Sequence, residues 1–279
     1  MIKSNRILWV DIAKGIGILL VLIGHISQNQ YINSFIYGFH MPLFFIISGY
    51  LYKNKKNYIR NKIKAILTPY LFFSIISFIY WYFIERNLRG QNENINILNV
   101  FSNIFIARGG NDNYIFNVAL WFLPCLLVTE IIFHTIIEKI KDIRVVTIIM
   151  LLFSLLGYIY AQYDLIRLPL ALDMVFVAIG FYFIGYLWRK KGEFCFKDKM
   201  KISKNKKIII IIIGFLFMII FSIFNIKIDI NNLKYPIYPL IYIVSITGCI
   251  VIYLISNLII KSNAIQYLGT NTLIIMCIH

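Results

Sequence analysis

Long apolar runs separated by short polar segments dominate the sequence. Nine of these runs approach the roughly 20 residues that a helix needs to cross the hydrocarbon core of a bilayer. Their alternation with polar segments predicts an all-α fold, a polytopic transmembrane helix bundle with about nine spans. The predicted spans lie at about 7–27, 35–52, 66–84, 117–137, 145–161, 168–188, 208–224, 237–260 and 264–279.

Composition supports a membrane protein and explains the charge. The chain is 60% hydrophobic and 14% charged, with a net charge of +16. About 21 of the 28 Lys and Arg fall in every second loop if the N terminus is cytoplasmic, which is the orientation signal of a multi-pass protein. We therefore expect the lipid bilayer, and no nucleic acid, as a partner, with the chain in a bacterial cytoplasmic (inner) membrane.

The spans form one domain over residues 1–279, with a single long outer loop at about 85–116 that is suited to a lid. The four cysteines lie in apolar runs or in a basic inner loop, so a disulfide framework is not expected. The sequence stops inside its ninth apolar run, from which we expect a C-terminal truncation.

The first span carries three ionisable residues, Asp11, Lys14 and His25. Lys14 and His25 are eleven residues apart, so they share a helix face while lying about 16 Å apart along its axis. Asp11 lies on nearly the same face. Such residues usually face a protein interior and mark function. Alternatively, Asp11 and Lys14 form a pair that neutralises a purely structural site.

Alternating spans place the polar residues at two depths. His25, His40 and Asp173 lie in the outer half, and so does His279. Imidazoles with a carboxylate suit proton abstraction from a hydroxyl, since an unperturbed His titrates near pH 6.5. A metal site is the rival use of the same residues, but no HxxxH or CxxC spacing supports it, so we predict none.

The inner half holds a second set. Glu130 and His134 lie at the depth of Asp11 and Lys14, and a buried Glu130 needs a partner, for which Lys14 is the first candidate.

The first inner loop, KNKKNYIRNKIKAILTPY, is strongly basic. Its Arg60, Lys62 and Lys64 suit the phosphates of a nucleotide-bearing donor. Contact with lipid headgroups is the alternative interpretation. Near the outer ends, Trp121 and Tyr82 have rings that suit stacking on a sugar, although aromatic residues are common at membrane interfaces.

Several motifs resemble the membrane-bound acyltransferase family 3, with its fucose 4-O-acetylase-like branch as the best match. The first fifty residues carry R-x4-D-I-A-K-G-I-G-I-L-L-V-L-I-G-H and then F-H-M-P-L-F-F-I-I-S-G-Y-L. The resemblance continues in A-L-W-F-L-P at 119–124 and in Y-L-G-T-N-T-L-I-I-M at 267–276. The family's paired-arginine motif is matched only loosely, by Arg60, Lys62 and Lys64, and its tenth span is absent.

This resemblance implies transfer of an acyl group, usually acetyl, from cytoplasmic acyl-CoA to a hydroxyl of a cell-surface glycan or its lipid-linked precursor. Acetyl-CoA would be a co-substrate, with no tightly bound cofactor. The family's basic-residue–ten–His motif falls on Lys14 and His25, which makes His25 the expected essential histidine. The competing hypothesis from the residues alone is a transporter or flippase in which the buried His and Asp relay protons.

Overall fold

The computed structural model describes residues 7–88, 95–163, 165–195, 203–224, 227–259 and 262–278. Within these ranges, thirteen α-helices form the molecule. In chain order they are α1 Leu8–Ile26, α2 Gln30–Tyr37, α3 His40–Tyr50, α4 Tyr58–Tyr80, α5 Arg86–Leu88, α6 Ile97–Ile106, α7 Phe122–Lys139, α8 Ile143–Gln162, α9 Leu172–Cys195, α10 Lys204–Ile223, α11 Tyr238–Leu258, α12 Asn263–Thr270 and α13 Thr272–Ile278.

The all-α polytopic bundle is confirmed. Within the described ranges, eight helical segments are long and apolar enough to cross a membrane, and they correspond to the first eight predicted spans. The ninth run forms two shorter helices, α12 and α13, which meet at Asn271. The Asn271 side chain donates to the carbonyl of Tyr267 at 2.8 Å, a local bond of the kind that competes with helix continuation.

The second span also contains a break. It begins at Gln30, earlier than predicted, because the Asn29 side chain caps α2 by accepting hydrogen bonds from the amides of Tyr31 and Ile32. Non-helical backbone at Phe39 then separates α2 from α3. As a result His40 begins a new helix, close to the outer end of α1.

Glycines allow the central helices to approach closely. A Cβ atom on Gly49 of α3 would lie 1.9 Å from the carbonyl oxygen of Tyr182, and one on Gly185 of α9 would lie 1.9 Å from that of Ile46. At the inner end of α1, a Cβ on Gly15 would lie 2.2 Å from the carbonyl oxygen of Ile265 in α12. Only glycine permits such contacts, and they fix α3 against α9 and α1 against α12.

Two outer loops interlock above the outer ends of α1 and α3. One precedes α7, at 107–121, and the other precedes α11, at 227–237, where Asp229 and Lys234 form an isolated antiparallel bridge. The amide of Gly110 donates to the side-chain oxygen of Asn231 at 2.9 Å, and the Asn231 amide donates to Asn111 at 2.9 Å. These bonds hold the two loops together over the bundle.

Candidate active site

The outer ends of α1 and α3 border a cavity of about 140 Å³. His25, in the last turn of α1, and His40, in the first turn of α3, both line it. The two interlocked loops close it from above. Its other polar or aromatic lining residues are Tyr37, Asn111, Trp121, Lys227, Asp229 and Asn231. The structure therefore brings together the two histidines that the sequence placed at one depth.

The two imidazoles differ in exposure. His40 is buried, with 3% of its surface exposed, and its Nδ1 lies 2.9 Å from the carbonyl oxygen of Ile36. A carbonyl can only accept, so Nδ1 donates, and in the neutral ring Nε2 keeps the basic lone pair. The Tyr37 ring packs edge-on against His40 with centroids 4.9 Å apart. His25, in contrast, is exposed.

A second, larger cavity of about 680 Å³ also borders His25. It lies between the outer half of α4, the loop at 115–119 and the end of α13. Most of its lining is apolar, including Phe73, Ile76 and Phe116, and its polar groups besides His25 are Ser77, Tyr80, Glu85 and Asn117. His25 is thus accessible from a small polar cavity and from a larger apolar one.

Asp173 does not line the histidine cavity. It is fully buried at the start of α9 and accepts a hydrogen bond from Nε of Arg167 at 2.5 Å. Arg167 in turn donates to the carbonyl of Asn231 at 2.8 Å, in the loop that closes the cavity. The structure therefore connects Asp173 to the cavity through Arg167, and it separates Asp173 from both imidazoles.

Charged residues gather at the inner end of α1. Glu130 of α7 is buried, with 1% exposed, and accepts a hydrogen bond from Lys62 at 2.8 Å. Lys14 is half-buried, and its electrostatic neighbours are Asp11, Lys62 and Glu130. The direct partner of Glu130 is therefore Lys62, where the sequence favoured Lys14. Because Lys62 is on α4, the pair fixes α4 against α7.

The basic inner loop borders an open cavity of about 730 Å³. Arg60 and Lys64, four residues apart on one face of α4, line it, together with Lys55 and Lys56. Lys62 lies on the opposite face and points toward Glu130. Of the three predicted donor-binding residues, two share this cavity and the third belongs to the buried ion pair.

A polar group lies at the rim of the inner cavity, and of its members only His134 was singled out from the sequence. Nδ1 of His134 lies 2.9 Å from the Tyr52 hydroxyl, and its Nε2 lies 3.6 Å from Glu138. The Tyr58 ring stacks on the imidazole with centroids 4.4 Å apart. Spacing gave one signal, because His134 and Glu138 are four residues apart on α7 and share a face.

The two aromatic candidates for sugar stacking differ in position. Trp121, the last residue of the loop 107–121, lines the histidine cavity. Tyr82 does not, and its ring instead packs against Phe78 and Phe83. His279, the remaining residue of the predicted outer layer, lies outside the described residues.

Comparison with known proteins decides the family. The family model described as the acyltransferase domain, of acyltransferase family 3, matches residues 7–279. The chain belongs to this family. The resemblance found in the sequence motifs is confirmed, and the assignment supports a multi-pass membrane acyltransferase.

Curated relatives match only a part of the acyltransferase chain. The nodulation protein NolL of Mesorhizobium japonicum is 50% identical over 60 residues, which cover 17% of this chain and 16% of that protein. NolL of Sinorhizobium fredii is 44% identical over 59 residues, with the same two shares. The matched stretch thus spans about a sixth of the length of each relative. No solved structure matches the chain.

Proposed function

We propose that this acyltransferase is an integral membrane O-acyltransferase. It transfers an acetyl group from cytoplasmic acetyl-CoA to a hydroxyl of a cell-surface glycan or its lipid-linked precursor. The observation that carries the proposal is a pair of cavities, one bordered by the basic side chains of the loop before α4 and of α4 itself, and one by two imidazoles at the outer ends of α1 and α3. A donor from one side of the membrane and an acceptor from the other would each have a site.

The inner cavity has the chemistry to hold the donor. Arg60 and Lys64 present guanidinium and ammonium groups on one helix face, and Lys55 and Lys56 add two more cations. Charge-assisted hydrogen bonds to phosphate are the strong ones, and the planar guanidinium of Arg suits bidentate contacts. In our proposal Lys62 stabilises this end of the bundle through Glu130 and does not bind the donor.

The outer cavity has the chemistry for the transfer itself. His25 is accessible to an acceptor and removes the proton of its hydroxyl, or it carries the acyl group transiently. His40 is held by the Ile36 carbonyl, so its Nε2 has a fixed position from which to orient the acceptor. Asp173 acts indirectly in this scheme, by fixing Arg167 and the loop above the histidines.

Lys14 has a different part in the scheme, because it is about 16 Å from His25 along α1 and cannot contact the same reacting carbon. In our proposal Lys14, together with Asp11, positions the donor arm between the inner and the outer site. The family assignment favours this scheme over the transporter hypothesis. A bacterial inner membrane is the location that the scheme requires.

Mass spectrometry of surface glycans tests the proposal. A deletion strain would be complemented with the wild-type gene, with His25→Ala, or with Gln28→Ala, a change at an exposed residue just beyond α1. We expect acetylated glycan with the wild type and Gln28→Ala, and none with His25→Ala at equal protein level. Unchanged glycan acetylation in the deletion strain would contradict the function, and normal acetylation with His25→Ala would contradict the role of His25.

A further inference from the structure

Acyl transfer develops a negative charge that the two histidines do not neutralise. When a hydroxyl attacks a thioester, the carbonyl oxygen becomes an oxyanion, and a fixed positive donor near that oxygen is usually a large contribution to catalysis. Lys14 lies about 16 Å from His25 along α1, which is too far for it to serve His25 in this way. The outer cavity needs a cation of its own.

Lys227 is a cation in the right place. It lines the outer cavity together with His25 and His40, in the loop that leads from α10 to α11. Its Nζ lies 3.9 Å from the centroid of the Tyr37 ring, and that ring packs against His40. The ring face holds the ammonium group next to the imidazole by a cation–π contact.

The hydrogen-bonding capacity of Lys227 is unused in the part of the chain that the structure describes. Asp229 is the acidic neighbour, but its Oδ2 lies 3.9 Å from Nζ, beyond hydrogen-bond distance. Both Asp229 oxygens instead accept from Asn232, at 3.1 Å from the backbone amide and at 2.9 Å from the side chain. The Lys227 side chain is 42% exposed, so its three N–H donors are available to a bound molecule.

The loop that carries Lys227 is fixed. Arg167 donates to the carbonyl of Asn231, and the Asn231 side chain bonds both Gly110 and Asn111 across the gap to the other loop. A charge whose position is set before the substrate arrives is more effective than one that must reorganise.

We propose that Lys227 is the oxyanion-stabilising residue of the outer cavity, an inference that rests on the proposed acyl transfer. The acceptor oxygen forms a bond to the thioester carbon while its proton passes to His25. The carbonyl electron pair moves to oxygen, where Lys227 donates a hydrogen bond. The tetrahedral intermediate then collapses, the C–S bond breaks, and the CoA sulfur leaves with the proton from His25.

Purified protein in detergent tests this with labelled acetyl-CoA as donor and the surface-glycan fraction of the deletion strain as acceptor. Lys227→Met keeps the apolar stem against Tyr37 and removes the charge. We expect kcat to fall by about 100- to 1,000-fold, the effect of deleting one oxyanion donor, with KM for both substrates nearly unchanged. Lys227→Arg keeps the cation and should restore most of the activity.

Lys234→Met is the matched control, because Lys234 lies in the same loop with an exposed side chain. It should retain wild-type kcat.

If Lys227→Met does not fold, Lys227→Gln replaces it with the same expectation. A wild-type kcat for Lys227→Met would overturn the inference about Lys227 but would not contradict the proposed function. So would a raised KM for the glycan at unchanged kcat, which would mean that Lys227 binds an anionic acceptor. If the wild type itself transfers no acetyl group, both the inference and the proposed function fail.

Discussion

The two ends of α1 contain ionisable residues in contrasting settings. At the inner end, Lys14 lies among Asp11, Lys62 and Glu130, where opposite charges alternate and one pair is hydrogen-bonded at 2.8 Å. At the outer end, His25 borders a cavity that also contains His40 and Lys227, with the acidic Asp229 bonded to its own loop. The inner set contains an ion pair that joins two helices, whereas the outer set lines a cavity.

The inner ion pair contributes to stability, whereas the outer residues are placed for the reaction. Buried charges persist in an apolar bundle only when they are paired, and the Lys62–Glu130 pair meets that need while it joins α4 to α7. At the outer end His40 is held by the Ile36 carbonyl and Asp229 by Asn232, so Nε2 of His40 and the Lys227 ammonium group are available to a substrate. Substitutions in the Lys62–Glu130 pair should therefore change folding, whereas substitutions at the outer cavity should change turnover.

Beyond His25 and Lys227, the largest effect should come from His40, where two substitutions separate its two nitrogens. His40→Asn places an amide donor near the position of Nδ1 and keeps the bond to Ile36, but it removes Nε2. His40→Gln instead places an amide near Nε2. If Nε2 orients the acceptor, we expect His40→Asn to lower kcat/KM by about 100-fold. Steady-state kinetics in membranes measures this, and wild-type activity of His40→Asn with a loss of activity in His40→Gln would show that the Ile36 bond alone matters.

A smaller effect should follow from removing charge at the inner cavity. The double change Arg60→Ala and Lys64→Ala removes two phosphate contacts, so KM for acetyl-CoA should rise about tenfold or more while kcat changes little. Lys141→Ala with Arg144→Ala is the matched control, because both side chains are exposed in another inner loop outside this cavity. Equal KM values for the two double variants would argue for lipid contact as the role of Arg60 and Lys64.

The smallest effect on turnover, but a clear one on stability, should come from the glycines of α1. At the inner end, Gly15→Ala drives a methyl group into the Ile265 backbone, a clash that should destabilise the protein by about 1–3 kcal/mol. At the outer end, a Cβ on Gly24 would lie 3.2 Å from the Ile36 side chain, which can yield. Thermal unfolding in detergent compares Gly15→Ala with Gly24→Ala, and an equal loss of stability in both would contradict tight packing of α1 on α12.

Much of this architecture could be predicted from the sequence, because hydropathy directly reports which segments can lie in lipid. The depth of His25 and His40 followed from the alternation of spans, and the structure unites them in one cavity. Hydropathy carries no information about which helices are neighbours, so the partner of Glu130 was not determined. The sequence prediction grouped Arg60, Lys62 and Lys64 as donor-binding residues, although their spacing on a helix puts Lys62 on the face opposite to the other two.

The outer loops could not be predicted in the same way. Lys227 and Asp229 reach the histidine cavity only because Asn231, Asn111 and Gly110 lock two segments that are far apart in the chain. No local periodicity marks such contacts. Asp173 shows the same limitation, since its depth was suitable but its partner is Arg167, six residues before it.

The membrane face from which acetyl-CoA is used tests the proposed acetyl transfer most directly. Sealed membrane vesicles of both orientations would receive labelled acetyl-CoA on their outside only, and label in the glycan fraction would be measured with wild-type and His25→Ala protein. We expect label only when the acetyl-CoA reaches the face that carries Arg60 and Lys64, and none with His25→Ala. Labelling of equal strength from the opposite face, or with His25→Ala, would contradict it.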